Sequence, residues 1–127
     1  MKNNLQKIFS LAAFCFIFGC AASCFAQIKT GGYKSISVND AGVRAAADFA
    51  VQAKSDEQET DFSLESIETA ETQVVAGTNY RLCMQIYVPG EEAETDGVTG
   101  FIKAVVFRNL KKEFSLKSWD EVEECSK

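Results

Sequence analysis

Gln73-Val74-Val75-Ala76-Gly77 stands between two runs that read as strands, Phe62-Ser63-Leu64-Glu65-Ser66-Ile67 and Tyr80-Arg81-Leu82-Cys83-Met84-Gln85-Ile86-Tyr87-Val88. A β-branched pair closed by Ala-Gly between two strands predicts a tight hairpin with an apolar tip. Such tips are usually polar because they face water. An apolar one calls for a partner surface that receives it. The plainer alternative is one continuous buried strand through all five residues.

The strands continue outward on both sides. Upstream, Asn39 or Asp40 is placed to cap a helix. Val43, Ala46, Ala47, Ala50 and Lys54 then follow helical spacing, with Phe49, Val51 and Ala53 widening the apolar side. An alanine-rich face lets a helix approach a sheet closely. Ser55 to Asp61 reads as a charged linker. Downstream, Tyr80–Val88 ends at the turn pair Pro89-Gly90. An acidic loop, Glu91 to Asp96, matches no known calcium-loop spacing and reads as a solvated hairpin loop. Val98 to Phe107 is apolar on both faces except at Lys103, as suits a central strand. Arg108-Asn109-Leu110-Lys111-Lys112 reads as a second turn, Phe114 to Trp119 as the last strand, and Asp120 to Lys127 as an acidic tail. One helix followed by four strands, with a short strand before it, predicts an α+β domain. Its antiparallel sheet, of four to five strands, curls round one N-terminal helix.

The chain has 127 residues, enough for one small domain. Lys2 and Lys7 followed by the apolar run Ile8 to Phe18 predict an export signal, with cleavage after Ala26 and a mature domain over 27–127. Ile17-Phe18-Gly19-Cys20 loosely resembles a lipobox, which leaves lipid anchoring at Cys20 as an alternative. Loss of residues 1–26 removes two lysines and no acid, taking the net charge from −5 to −7. That balance argues against nucleic acid or an anionic membrane as a partner. It is compatible with a basic partner. Three of the five cysteines, Cys15, Cys20 and Cys24, lie in the leader. Cys83 and Cys125 form an even pair that predicts a disulfide in an exported chain, the alternative being two buried thiols. Two cysteines without histidine supply too few soft ligands for zinc.

The absence of histidine excludes Ser-His and Cys-His nucleophile systems. The acidic pairs Glu91-Glu92 and Glu123-Glu124 fall in loop and tail. No phosphate-binding or dinucleotide glycine motif is present. The chain therefore reads as neither an enzyme nor a cofactor protein.

Gln73-Val74-Val75-Ala76-Gly77 resembles the Gln-Xaa-Val-Xaa-Gly motif of the cystatins, inhibitors of papain-like cysteine peptidases. Thr78-Asn79-Tyr80 fits a common continuation of that motif. Arg44 to Val51 resembles the helix that cystatins wrap in their sheet, and Gly31 or Gly32 the glycine of their N-terminal arm. The resemblance implies a reversible, steric mechanism acting on a papain-like peptidase as a monomer. The arm at Gly31 and Gly32, the hairpin Gln73, Val74, Val75, Ala76 and Gly77, and the turn at Asn109 and Leu110 would together fill the peptidase cleft. No cofactor is implied. Many cystatins carry Pro-Trp in the second turn, where this chain has Asn109-Leu110, and Trp119 falls later, at a structural position. That departure leaves open a second reading, a cystatin-fold binding module that inhibits nothing.

Overall fold

The computed structural model describes residues 31–92 and 95–126. The predicted signal segment therefore lies outside the described residues. Six elements follow in the order β1 (Lys34–Ser35), α1 (Ala41–Gln58), β2 (Ser63–Val75), β3 (Gly77–Val88), β4 (Val98–Arg108) and β5 (Phe114–Val122). The sheet is an antiparallel meander in sequence order.

Asp40 is the cap of α1. Its Oδ1 accepts from the N–H groups of Gly42 at 2.9 Å and Val43 at 3.1 Å, satisfying amides that have no partner inside the helix. Val43, Ala46, Ala47, Ala50 and Val51 form the buried stripe. Three of these five are alanines, so the helix axis lies close to the sheet. The inward face of β3 supplies Tyr80, Leu82, Met84 and Ile86, and that of β4 supplies Ile102, Ala104 and Val106. These alternate positions follow the two-residue period of a strand.

The extension of α1 to Gln58 corrects the linker reading of Ser55 to Asp61. Polar residues at helical spacing pair with each other instead of unwinding the chain. Gln52 Nε2 donates to Asp56 Oδ1 at 2.8 Å, and Lys54 Nζ pairs with Glu57 Oε2 at 3.3 Å. The helix stops at Glu59, which turns left-handed with φ 52° and donates its N–H to the Ser55 carbonyl.

The tail reading is corrected as well. β5 runs to Val122, with Asp120 opposite Lys103 and Val122 opposite Phe101. Beyond it Cys125 reaches Cys83 on β3, and the two are joined as a disulfide with Cα atoms 5.7 Å apart. Cys83 points away from the helix yet is buried.

Pairing irregularities between Leu64 and Ser66 and between Ile67 and Thr69 place two bulges in β2. A third interrupts the β4–β5 ladder at Val105/Val106. Bulges increase local twist, which here bends the sheet round the helix. Phe62 and Trp119, with ring centroids 6.1 Å apart, close the space beyond one end of the helix. Phe49 and Phe114, 5.5 Å apart, seal it further along.

Candidate functional site

β2 and β3 meet in a turn so tight that Val75 opposes Gly77 and Ala76 alone forms the apex. The hairpin reading holds, with one refinement. Of the two valines Val74 is the exposed one, at 71%, whereas Val75 is half-buried. A continuous buried strand through the five residues is excluded. Asn79 Nδ2 donates to Gln73 Oε1 at 3.1 Å across the ladder and fixes the base of the turn.

Gly77 is the residue that makes this turn possible. Its φ is +124°, a conformation that L side chains rarely adopt. A Cβ there would also run into the Arg108 carbonyl and come within 2.8 Å of the Phe107 ring. The backbone of the first turn therefore lies directly against the start of the second.

The second turn is organised by Asn109. Its Oδ1 accepts from the N–H groups of Lys111 and Glu113, both at 2.9 Å, and its Nδ2 donates to Glu113 Oε2 at 2.7 Å. Lys112 takes the left-handed position at φ 66°. Asn109 is thus spent on shaping the loop. Leu110 is lifted into solvent at 81% exposure.

The arm arrives beside the same turn. β1 pairs Lys34 with Thr72 and Ser35 with Glu71, so residues before Lys34 run toward the level of Gln73 and Val74. Gly31 and Gly32 are exposed, and a Cβ at either would meet nothing within 4 Å. Tyr33 anchors the arm to the sheet. The Arg81 guanidinium lies 3.9 Å from its ring centroid, and Arg81 Nε donates to Glu71 Oε2 at 2.7 Å. The hydrogen bond from Arg81 holds the Glu71 carboxyl below its usual range. Nothing in the sequence marked this trio, because its members come from the arm before β1 and from two strands, β2 and β3.

All the sequence-predicted contact residues therefore gather at one end of the sheet. They make a protruding rim. The apolar groove of about 320 Å³, lined by Phe62, Ile86, Val88, Val98 and Trp119, lies at the opposite end. Among the described residues no three His, Cys, Asp or Glu side chains converge as a metal site, and no helix is long and apolar enough to cross a membrane. A convex apolar rim backed by a rigid sheet is suited to entering a cleft in another protein.

Comparison with known proteins points to proteinase inhibitors. The family described as "SQAPI: Aspartic acid proteinase inhibitor" matches residues 36–122. "Cysteine proteinase inhibitor 1" of Actinidia chinensis var. chinensis is 35% identical over 92 residues, covering 66% of this chain and 73% of the relative. "Cysteine proteinase inhibitor 5" of Arabidopsis thaliana is 41% identical over 93 residues, covering 67% and 71% respectively. In fold, the chain resembles the salivary cystatin of the soft tick Ornithodoros moubata. The TM-score is 0.58 at 24% identity, covering 72% of this chain and 97% of that one. Human cystatin F, solved as a dimer, also gives 0.58 at 19% identity, covering 83% and 97%. By the family match across most of its folded residues, and by these relatives, the chain belongs to the cystatin-like proteinase inhibitors.

Proposed function

We propose that this protein is an exported, reversible inhibitor of papain-like cysteine peptidases that acts by plugging the active-site cleft. The observation that carries the reading is the rim itself. Val74 and Leu110 stand exposed on two turns that touch through Gly77 and Arg108, with the Gly31-Gly32 arm alongside. The named relatives, both cysteine proteinase inhibitors, support the target class. The segment 1–26 and the Cys83–Cys125 bond support export into an oxidising compartment. The chain has no histidine to activate a nucleophile, and in this reading it presents no group that reacts. It excludes substrate.

Titration of papain activity with the domain and its Val74→Asp variant tests the proposal. Burying one valine contributes about 1.5–3 kcal/mol, and burying a carboxylate in its place is unfavourable. Val74→Asp should weaken inhibition by at least about 30-fold, roughly 2 kcal/mol, while the melting temperature stays within a few degrees. Val75→Asp is a poorer probe because Val75 is half-buried and its loss also touches packing. Inhibition by Val74→Asp equal to that of the parent contradicts the proposal.

Aspartic peptidase inhibition is a second reading, favoured by the description of the matching family. A pepsin-like peptidase titrated in parallel separates the two. Inhibition of neither enzyme leaves the non-inhibitory binding module as the correct account.

Leu110 gives a graded test. It stands 81% exposed and does not pack beneath the domain. Leu110→Trp should tighten inhibition by about 1 kcal/mol, since a larger apolar side chain buries more area at the same place. Leu110→Ala should weaken it by about the same amount. Neither should shift the melting temperature measurably. A destabilised but fully inhibitory Leu110→Ala would remove the second turn from the site.

A further inference from the structure

Resting on the cleft-plugging reading, we infer that the rim is a positively charged docking surface and that its partner is a peptidase whose cleft margin is acidic. The composition points the other way, since the whole chain carries a net charge of −5. The fold separates that charge. At the rim stand Lys34, Arg108, Lys111, Lys112 and Lys117. Lys34 pairs with the hairpin strand at Thr72, Arg108 opposes Thr78, and Lys117 reaches over the Phe107 ring at 5.7 Å. The acids among them are largely neutralised. Glu71 is taken by Arg81, and Asp40 accepts from the Gly42 and Val43 N–H groups at the start of α1. Glu113, hydrogen-bonded within the second turn, is the remaining carboxylate.

The acids are at the other end. Asp56, Glu57, Glu59 and Asp61 lie at the end and exit of α1, and Glu91, Glu92 and Asp96 in the β3–β4 loop. Lys54, paired with Glu57, is the one nearby cation on that stretch of helix. The twelve residues of β3 separate the two ends by about 40 Å at ~3.3 Å per residue. That is several times the Debye length of about 8 Å at physiological salt. A peptidase meeting the rim therefore feels the local cations, with the distant carboxylates screened out.

The surface fits a partner that presents carboxylates around an apolar cleft. Val74 and Leu110 enter the cleft, and Lys34, Lys111 and Lys112 sit at its margin. Such margin charges act chiefly on association rate.

The test measures association and dissociation rates over a range of salt concentrations. It uses two papain-like peptidases, one with net negative and one with net positive charge around its cleft. Association with the first should be faster and should slow as salt rises; with the second it should be slower and should quicken. Lys111→Glu combined with Lys112→Glu should cut the low-salt association rate with the acidic-margined enzyme about tenfold and leave dissociation nearly unchanged. Asp56→Lys combined with Glu59→Lys, at the far end, should change neither rate appreciably. Association indifferent to salt, or unaltered by reversal at Lys111 and Lys112, overturns the inference while leaving the inhibitory reading intact. Failure of the parent to inhibit either enzyme overturns both.

Discussion

Gly77→Ala is expected to weaken inhibition at least a hundredfold and to lower the melting temperature, from a change of one methyl group. The cause is backbone geometry. At φ +124° an L residue is strained by about 1–3 kcal/mol. The new Cβ would also overlap the Arg108 carbonyl and press on the Phe107 ring. Relief requires the hairpin to lift away from β4, and Arg108 leads directly into the Asn109 turn. Both turns of the rim therefore shift together. A loss of roughly 2–3 kcal/mol corresponds to a fall of about 10–20 °C for a domain of this size, which leaves the protein folded at 25 °C. Gly100→Ala is the matched control. A Cβ there meets nothing within 4 Å, so that variant should inhibit and melt like the parent. Gly77→Ala that inhibits as well as the parent would show that the shape of the hairpin is irrelevant to binding.

Removal of the disulfide should have the largest effect on stability and almost none on the rim. Cys83 and Cys125 are 42 residues apart. The chain-entropy account gives about 4 kcal/mol for closing such a loop, as an upper estimate. Cys83→Ala combined with Cys125→Ala should lower the melting temperature by up to roughly 15–30 °C. The bond ties the end of the chain across β4 to the middle of β3, far along the strand from Val74 and Leu110. Inhibition by the still-folded double variant at 25 °C should therefore stay within a few-fold of the parent. Calorimetry and titration on the same preparation check both halves. A melting temperature within a few degrees of the parent's would mean that the crosslink contributes little.

Much of the fold was legible because its signals are local. The alanine stripe from Val43 to Val51, the Pro89-Gly90 turn and the alternation along β3 each announce their element. The linker and tail were misread for a related reason. Asp56, Glu57 and Asp120 look like loop residues by type, yet each lies on an exposed face of an element whose other face is satisfied by packing. At the rim, the motif Gln73 to Gly77 and the second turn from Arg108 to Lys112 could be read from the chain. The Tyr33–Arg81–Glu71 anchor and the contact of Gly77 with Arg108 could not, because they depend on strand register. Register also hid the charge separation. Net charge is a sum over the chain, and only the order of the strands gathers Lys34, Arg108, Lys111 and Lys112 at one end.

The central claim is that one end of this domain enters the peptidase cleft. Hydrogen–deuterium exchange on the inhibitor, free and bound to papain, addresses it most directly. The account predicts new protection at residues 31–34, 73–78 and 108–112 together, with 56–62 and 89–97 unchanged, and recovery of the chain uncut after dissociation. Protection confined to 56–62 and 89–97, or cleavage within 73–78, would contradict it.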